Sequence, residues 1–175
     1  FDGDSGYFSA GNDVSLQING SLSISGWFKS YGTDDYIVSK RAYNVEFEPG
    51  NLLTFRTRNA ANDGWDADLS SSALVLDTWY HFTVVFDAEN DLSSLYINGE
   101  LNNSAAKTDD SCGDLSTYSF NIGGYANPTA GVYFNGTIDD VMIFNRSLSA
   151  DEILGLYANT TSKYTQINYT SLADG

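Results

Sequence analysis

A chain of 175 residues, 42% of them apolar, is long enough to form one domain with a sizeable core. Its net charge of −15, from 18 Asp and 5 Glu against 8 basic residues, argues against a nucleic-acid partner and against binding to anionic membrane surfaces. The sequence has no apolar run suited to direct membrane insertion, and its single cysteine, Cys112, excludes a disulfide framework and a thiolate metal cluster.

The first half of the chain has the period-two alternation of apolar residues that is typical of antiparallel strands. It occurs in SLSISGWFKS at residues 21–30, in YNVEFE at residues 43–48 and in NLLTFRT at residues 51–57. Asn19-Gly20 and Pro49-Gly50 provide turn signals before the first and the last of these stretches. We therefore predict a run of short antiparallel strands.

Trp65 lies in NDGWDADLS, a stretch rich in Gly, Asn and Asp that predicts a loop. An exposed indole there, flanked by Asp63 and Asp66, would combine a stacking plane with hydrogen-bond acceptors, which is what a sugar-binding surface needs. The same ring could instead fold back onto the domain and anchor the loop. The sequence leaves these two interpretations open.

The middle of the chain predicts a central strand followed by a hairpin. WYHFTVVFD, at residues 79–87, has apolar residues at both parities, as a strand covered on both faces does. The only histidine, His81, is predicted to be a packed strand residue and not a catalytic base, because no nucleophile is signalled beside it. Asn98-Gly99 between apolar residues is the strongest hairpin signal, because both turn residues must take positive φ.

Two adjacent aspartates, Asp139 and Asp140, begin an apolar strand that ends at Phe144. This strand is apolar on both pleat faces and is therefore predicted to be covered on both sides. Alternation places Asp140 on the face of Ile138 and Asp139 on the opposite face, so at least one carboxylate should lie at the border of a buried layer. Such a carboxylate needs a cation, a hydrogen-bond network or an exit to water.

The end of the chain predicts one short helix that lies against the sheets. Ser149 followed by Glu152 forms a capping box, and the residues after it give the helix one apolar face. Residues 1–158 are predicted to form the domain, and residues 159–175 a polar tail that is a last strand or a linker. About ten or more short strands with this single helix predict an all-β, two-sheet antiparallel jelly-roll sandwich.

Six Asn-x-Ser/Thr sequons favour an exported and glycosylated surface protein. They begin at Asn19, Asn102, Asn135, Asn145, Asn159 and Asn168. Asn19 and Asn135 each precede a glycine in a predicted turn and should be exposed. Asn145 follows the apolar strand directly, and we expect its modification to be hindered.

Three blocks of the sequence, in this order, resemble the laminin-G-like domains of the concanavalin A-like lectin/glucanase superfamily. The blocks are FDG with Tyr7, then WYHFTVVFD and LYING at residues 79–99, then GTIDDVMIFNRSLSADEI at residues 136–153. The resemblance covers roughly residues 1–158 and implies a jelly roll of two antiparallel sheets. Such domains are usually modules of large secreted or surface proteins that bind sugars or proteins, and they often hold a structural calcium ion.

A calcium site is what this resemblance implies for the two aspartates. Calcium takes about six to eight oxygen ligands. Asp139 and Asp140 would supply them together with Asp2, the Gly3 carbonyl and Asp4 if the first and last strands are neighbours, as they are in the family. The alternative is that Asp139 accepts hydrogen bonds from backbone amides and that Asp140 pairs with Lys or Arg.

The resemblance implies non-catalytic recognition or adhesion, outside the cell or at its surface, within a larger polypeptide whose neighbouring domains would also be partners. The partner would be a glycan or an extracellular protein, and the alternative is a purely structural or protein-docking module without a sugar site. A glycosidase relic is the third interpretation, and it would need two carboxylates about 5 Å apart. The nearest pair, Glu46 and Glu48, lacks the rest of the Glu-x-Asp-x-Glu motif and is predicted to face solvent, so we expect no enzyme activity.

Overall fold

Two antiparallel sheets pack against each other in the computed structural model, which describes residues 1–33, 35–59, 61, 64–107, 117–126 and 131–164. The strands are β1 (Phe8–Gly11), β2 (Leu22–Ser30), β3 (Asp35–Ser39), β4 (Tyr43–Glu48), β5 (Leu52–Arg58), β6 (Trp65–Ser70), β7 (Tyr80–Asp87), β8 (Leu92–Ile97), β9 (Glu100–Ala106), β10 (Phe120–Ile122) and β11 (Gly136–Phe144), and the helix is α1 (Ala150–Thr160). The six-stranded sheet has the order β1-β10-β3-β4-β5-β6, and the five-stranded sheet has the order β11-β2-β7-β8-β9. The predicted all-β sandwich with one short C-terminal helix is confirmed. Within the described residues, no helix has the length and apolar character needed to cross a membrane.

The facing sides of the two sheets form one hydrophobic core. The ring centroid of Phe28 on β2 lies 5.6 Å from that of Phe47 on β4 and 6.0 Å from that of Phe82 on β7. All three side chains are almost completely buried, and burial of each stabilises the fold by about 1.5–3 kcal/mol. β7 is a central strand, as predicted, with β2 and β8 on its two sides.

The predicted hairpin and the predicted helix start are both confirmed. Asn98 and Gly99 connect β8 to β9 with φ angles of 52° and 80°. At the start of α1, Ser149 Oγ accepts a hydrogen bond from the Glu152 amide, and the Glu152 carboxylate accepts one from the Ser149 amide. Local sequence signals therefore determine both of these boundaries.

Two segments that were predicted to be a turn and a loop are paired backbone instead. Asn135 forms an isolated β-bridge with Asp2, and Gly136 is the first residue of β11. Trp65 begins β6, because Trp65–Ser70 pairs with β5 at the edge of the six-stranded sheet. In both places the pairing with a neighbouring segment outweighs the local preference of Asn, Asp and Gly for turns.

A β-bulge in β11 changes which of its side chains face the core. The pairing of β11 with β2 shifts between Asp139 and Met142, opposite Gly26. Ile138 and Val141 therefore both pack against the core, although an uninterrupted strand would place them on opposite faces. A Cβ atom added at Gly26 would lie 3.3 Å from Val141 Cγ2, so Val141 occupies the space that the glycine leaves. Asp139 lies on the face opposite Ile138, as predicted, but the predicted face of Asp140 is wrong, because the Tyr164 hydroxyl donates to both carboxylates on the outer face and simple alternation does not include a bulge.

Helix α1 and the residues after it pack onto the outer face of the five-stranded sheet. Ile153 of the helix is buried in a small second cluster of apolar residues. The Trp27 indole Nε1 donates a hydrogen bond to Thr160 Oγ1 at 2.8 Å. The Tyr164 ring stacks on the Trp27 ring with 4.2 Å between the centroids. Among the described residues, the packed unit therefore includes residues 159–164, which lie past the predicted boundary at residue 158.

Candidate functional site

Polar side chains form two rows across the outer face of the six-stranded sheet, the face turned away from the core. The first row follows the strand register from β10 to β6 and consists of Asn121, Ser39, Asn44, Arg56 and Asp68. The second row runs beside it from β3 to β6 and consists of Tyr36, Glu46, Thr54 and Ser70. We refer to these nine residues as the polar rows.

The alternation of β4 explains why polar residues collect on this face. Tyr43, Val45 and Phe47 belong to the core, so Asn44 and Glu46 between them face outward. The same alternation on β5 and β6 directs their polar residues to the same side. Apolar residues at one parity and hydrogen-bonding residues at the other thus build a polar surface on a well-packed sheet.

One end of the polar rows is buried under a loop that crosses it. Ser39 Oγ donates a hydrogen bond to Asn44 Oδ1 at 2.8 Å, and the Ala126 amide donates one to Ser39 Oγ at 3.0 Å. Asn121 Nδ2 donates to the Tyr125 carbonyl at 3.0 Å. Ser39, Asn44 and Asn121 are almost inaccessible to solvent. These hydrogen bonds fix the side chains at this end and hold the loop against the sheet.

The other end of the polar rows is open to solvent and is organised by Arg56. The guanidinium Nη1 lies 2.7 Å from Glu46 Oε2 and 2.8 Å from Glu48 Oε1, and Nε lies 3.2 Å from Asp68 Oδ2. The Asp68 side chain is 51% exposed and that of Arg56 is 23% exposed. Three carboxylates thus share one guanidinium, which leaves an excess of negative charge and of hydrogen-bond acceptors at the open end.

Burial changes the titration of Glu46. This residue is only 5% exposed, and burial raises its pKa to about 7. The Arg56 guanidinium and the Asn44 amide lower the pKa of Glu46, whereas the Glu48 carboxylate raises it further. Near neutral pH the Glu46 side chain therefore exchanges between a charged form that only accepts hydrogen bonds and a neutral form that also donates one. The expectation that Glu46 faces solvent is wrong, because this outward-facing side chain is buried.

Three buried polar atoms of the polar rows lack a hydrogen bond of normal geometry among the described residues: the donor Asn44 Nδ2, which lies beside the Glu46 carboxylate, and two acceptors. Glu46 Oε1 and Asn121 Oδ1 lack a hydrogen bond of normal geometry in the part of the chain that the structure describes. A buried polar atom without a partner destabilises the fold by about 1–3 kcal/mol. Water or a ligand hydroxyl group is the natural donor to the two acceptors.

An aromatic pair stands beside the second polar row. Tyr36 on β3 is the cross-strand neighbour of Glu46 on β4. Tyr125, which lies in the loop over the buried end, packs on Tyr36 with 4.7 Å between the ring centroids. Both residues are half-buried. Aromatic ring planes next to convergent hydrogen-bonding groups are the combination that binds carbohydrate rings.

Two of the three residues that the sequence predicts for sugar binding, Trp65 and Asp66, lie on the edge strand of this sheet. Trp65 is the first residue of the edge strand β6 and pairs with Arg58 of β5, and Asp66 follows it on β6. Asp63 lies outside the described residues. The predicted platform is therefore on the same sheet as the polar rows, and its part in sugar binding stays a prediction.

The two aspartates of β11 have an ammonium group and a phenol as partners. Lys163 Nζ lies 2.7 Å from Asp140 Oδ2, and the Tyr164 hydroxyl donates to Asp139 Oδ2 at 2.8 Å. Asp139 Oδ1 also accepts a hydrogen bond from the Asp140 amide at 2.7 Å. The hydrogen bond with Lys163 lowers the pKa of Asp140 and raises that of Lys163. This arrangement corresponds to the alternative without calcium that the sequence left open.

The five predicted calcium ligands are not assembled into one site. The start of the chain does run beside β11, because the Gly136 amide donates to the Phe1 carbonyl at 3.1 Å. However, the Asp2 carboxylate accepts hydrogen bonds from the amides of Asp4 and Ser5 at 3.0 and 3.3 Å. Among the described residues, no group of three or more His, Cys, Asp or Glu could hold a metal ion. In this arrangement the residues do not fit a calcium ion with its about six to eight oxygen ligands, and the site stays a prediction from the resemblance.

His81 is enclosed under the helix, in a network that the sequence did not reveal. Its Nε2 lies 2.9 Å from Ser25 Oγ, which accepts a hydrogen bond from Thr83 Oγ1 at 3.1 Å. Burial lowers the pKa of His81 to about 4, and the charge of Asp140 acts in the opposite direction. His81, Ser25 and Thr83 are fully buried. A substrate therefore cannot reach the His81–Ser25 pair. His81 is a packed strand residue, as predicted.

The predicted glycosylation sites differ in exposure. Asn19, Asn102, Asn145 and Asn159 are exposed, and Asn168 lies outside the described residues. The expected hindrance at Asn145 is wrong, because the chain leaves the sheet directly after Phe144. The expected exposure of Asn135 is also wrong, because this residue is half-buried and its side chain packs beside Gly3.

Sequence reasoning missed the polar rows as a site. The available signal was the polar parity of two consecutive strands, with Asn44 and Glu46 on one and Thr54 and Arg56 on the next. A hairpin places such residues side by side on one face. The order of the strands beyond this hairpin, which brings Asn121 into the same row, has no local signal in the sequence.

Several solved structures share this fold. The binding domain of Paraclostridial mosquitocidal protein 1 superposes with a TM-score of 0.68 and 16% identity, over 87% of this chain and 41% of that one. A structure of botulinum neurotoxin type C, which depends upon interaction with two ganglioside molecules to get into cells, gives a TM-score of 0.65 and 17% identity, over 90% of this chain and 41% of that one. The CBM40 of the Ruminococcus gnavus IT-sialidase gives a TM-score of 0.66 and 17% identity, over 90% of this chain and 97% of that one. This chain thus spans less than half of the two toxin structures.

The sequence matches no curated protein. It does match a family model, Laminin_G_3 of the concanavalin A-like lectin/glucanases superfamily, over residues 2–154. The matched segment contains all eleven strands of the sandwich and ends within α1. The chain therefore belongs to the Laminin_G_3 family of the concanavalin A-like lectin/glucanases superfamily, as the sequence resemblance implied.

Proposed function

We propose that this chain is a non-catalytic carbohydrate-binding module whose ligand lies on the polar rows of the six-stranded sheet. The observation that carries the proposal is the open end of the polar rows, where the partly exposed carboxylates of Glu48 and Asp68 present hydrogen-bond acceptors to solvent. Sugar hydroxyl groups would donate to acceptors of this face. The rings of Tyr36 and Tyr125 supply the apolar side of the site.

The similar structures support a binding function of this kind. One is described as a binding domain, one is named as a CBM40, and one belongs to a toxin whose cell entry depends upon two ganglioside molecules. Their identities of 16–17% limit this support to the fold. The assignment of the ligand to a particular face therefore depends on the chemistry of that face and not on the relatives.

A hydrolase is not favoured, because one guanidinium holds both candidate carboxylates. Arg56 Nη1 lies 2.7 Å from Glu46 Oε2 and 2.8 Å from Glu48 Oε1. A retaining glycosidase needs one carboxyl group to attack the anomeric carbon and the other to protonate the leaving group, from opposite sides of the bond. The Arg56 guanidinium contacts both carboxylates and therefore occupies the space between them, where the glycosidic bond would have to lie.

A glycan array with the 175-residue chain tests the proposed function. We expect binding to at least one class of glycan, loss of that binding in Tyr125→Ala, and a Tm for this variant within a few degrees of the unmodified chain. Tyr31→Ala is the matched control, because Tyr31 is an exposed tyrosine that follows β2 on the other sheet. Binding that survives Tyr125→Ala but is lost in Tyr31→Ala would move the site away from the polar rows.

Protein docking is a second candidate function, and the exposed edge strand β9 favours it. All seven residues of β9 are exposed, and the strand lies at the edge of its sheet. Leu101 on β9 and Leu154 on α1 are 57% and 51% exposed. An extended peptide could pair with such an edge. A protein partner that binds the unmodified chain and Tyr125→Ala, but not Leu101→Ala, would support this candidate.

We place the module outside the cell, or at its surface, within a larger glycosylated polypeptide. The exposure of Asn19, Asn145 and Asn159 supports this context, because N-glycans need accessible sequons. Mass spectrometry of the protein from its own source should find glycans on these residues and not on half-buried Asn135. Unmodified asparagine at all of the sequons would contradict the proposed context.

A further inference from the structure

We infer that the ligand of the polar rows is a neutral glycan and that this face rejects sugars that carry a carboxylate or a sulfate group. The inference rests on the proposed function and concerns the class of ligand only. Three observations support it: the negative charges at the open end, the interactions that the Lys and Arg side chains already make, and the acceptor atoms that the open end presents.

The open end has no free cation for an anionic sugar. Recognition of a carboxylate or a sulfate normally uses an arginine or lysine whose N–H groups are available to it. Arg56, the basic residue of the polar rows, already contacts Glu46, Glu48 and Asp68 at 2.7, 2.8 and 3.2 Å. An anionic group would have to displace one of these carboxylates and stay close to the other two.

The other basic side chains are also engaged. All eight Lys and Arg residues of the chain lie in the described ranges. Their partners are Asp77 for Lys29, the Tyr118 carbonyl for Lys40, the Tyr118 ring for Arg41, Asp91 for Lys107, Glu152 for Arg146 and Asp140 for Lys163. Arg58, the next outward residue along β5, has interactions of its own. Each basic side chain among the described residues therefore already has at least one interaction within the chain.

Carboxylate acceptors are the groups that the open end of the face offers to a ligand. The carboxylates of Glu48 and Asp68 are partly exposed at the open end, and Glu46 Oε1 lies deeper without a protein partner among the described residues. Hydroxyl groups of a neutral sugar donate to such atoms. A carboxylate or sulfate group has no proton to donate at neutral pH, and its negative charge is repelled by the nearby carboxylates of Glu48 and Asp68.

Matched pairs of glycans that differ only in a terminal sialic acid or a sulfate group test the inference. On an array, and then by calorimetry with the best neutral glycan and its sialylated form, we expect at least tenfold tighter binding of the neutral member. Affinity for the neutral glycan should change less than twofold between 50 and 500 mM NaCl, because no net ion pair forms on binding.

A double variant tests whether the open-end carboxylates cause this selectivity. In Glu48→Gln/Asp68→Asn we expect the preference for the neutral glycan to fall at least threefold, because two repelling charges are removed. Glu100→Gln/Asp151→Asn is the control with the same change in net charge, because both residues are exposed and lie on β9 and α1. An equal fall in this control would mean that the total charge of the chain, and not this face, excludes anionic sugars.

The outcomes separate this inference from the proposed function. Equal or tighter binding of the sialylated or sulfated member, lost in Tyr125→Ala, would overturn the neutral-ligand inference and leave the carbohydrate site in place. Binding of no glycan of either class would overturn both. Preferential binding of neutral glycans that depends on Tyr125 and is relaxed by Glu48→Gln/Asp68→Asn supports both.

Discussion

Glu46 holds a carboxyl group in a nearly dry environment and should make the stability of the domain depend on pH. Its pKa is about 7 in the folded chain and 4.5 for the exposed group, so the folded state binds the proton more tightly. The protonated form therefore stabilises the fold fully below pH 4.5, and this contribution is lost as the pH rises through 7. Glu46→Gln should raise the free energy of unfolding by about 1–3 kcal/mol at pH 8 and change it little at pH 4.5, as measured by urea denaturation.

Glu48→Gln is the matched control for this change. Glu48 contacts the same guanidinium at 2.8 Å, but its side chain is 23% exposed. Its removal should lower stability by about 1 kcal/mol or less at pH 8, because an exposed ion pair contributes little. A Glu46→Gln variant that is less stable than the unmodified chain at pH 8 would show that the Arg56 ion pair outweighs the burial of Glu46.

His81 should make the fold less stable as the pH falls, whereas Glu46 makes it more stable over part of the same pH range. Its pKa is about 4 in the folded chain against 6.5 in the unfolded chain, so the unfolded state takes up the proton first and stability falls as the pH decreases from 6.5 to 4. Glu46 acts in the other direction between pH 4.5 and 6.5. The Tm of the unmodified chain should therefore be nearly flat across this window, whereas that of Glu46→Gln should fall by about 4–8 °C towards pH 4.5. Equally steep curves for the two proteins would count against these opposed contributions.

At the scale of elements, residues 159–164 should belong to the folded unit. Tyr164 stacks on Trp27 with 4.2 Å between centroids, and Lys163 Nζ lies 2.7 Å from Asp140 Oδ2. A chain that ends at Tyr164 should keep the full Tm, whereas one that ends at Ala158 should lose about 4–8 °C, which corresponds to about 2 kcal/mol. Lys163→Ala alone should change the free energy by less than about 1 kcal/mol, because the pair is exposed. Identical melting of the two truncated chains would show that this segment adds no stability.

The bulge in β11 should make Gly26 sensitive to substitution. A Cβ atom at Gly26 would lie 3.0 Å from Phe82 Cε1 and 3.3 Å from Val141 Cγ2, both in a packed core. Gly26→Ala should lower the free energy of unfolding by about 1–3 kcal/mol. Gly155→Ala is the control, because a Cβ there meets no atom within 4 Å and alanine favours the interior of α1, so it should stabilise by about 0.5–1 kcal/mol. Denaturation curves that rank the two variants the other way would contradict the packing described for the bulge.

Periodicity was sufficient for the strands and the helix, but not for their irregularities. The alternation in β2, β4 and β5 and the capping box of α1 are local signals, and each predicted the observed element. The bulge at Asp139–Met142 and the strand that starts at Trp65 depend on the partner strand, so no window of sequence contains them. The sheet face on which an aspartate next to a bulge lies thus depends on how its strand pairs with the neighbouring strand.

At the scale of the whole molecule, the two ends of the chain should be held together without calcium. The Asp140 carboxylate pairs with the Lys163 ammonium group, and the Asp139 carboxylate accepts a hydrogen bond from the Tyr164 hydroxyl. The Asp2 carboxylate accepts hydrogen bonds from backbone amides. We therefore expect EDTA to leave the Tm unchanged, and added calcium to raise it by less than about 1 °C. A rise of several degrees in calcium that is reversed by EDTA and weakened in Asp139→Asn would instead support the calcium site that the resemblance implies.

The fold was predictable to a greater extent than the site. Apolar alternation specifies which faces are buried, and the family resemblance supplied the sandwich. The site combines residues from β3 to β6 and β10, so it exists only after Asn121 and Asp68 are brought into one row by strand order. The predicted platform at Trp65 lies on the same sheet as the polar rows, and its part in sugar binding stays a prediction.

The central claim is that a glycan binds to the polar rows, and amide chemical-shift mapping by NMR tests it most directly. Titration with the best neutral glycan from the array should shift the amides of Tyr36, Glu46, Arg56 and Tyr125 in a saturable way, and leave the amides of β9 and α1 unchanged. Saturable shifts confined to β9 and α1, or no shifts at millimolar glycan, would contradict the account.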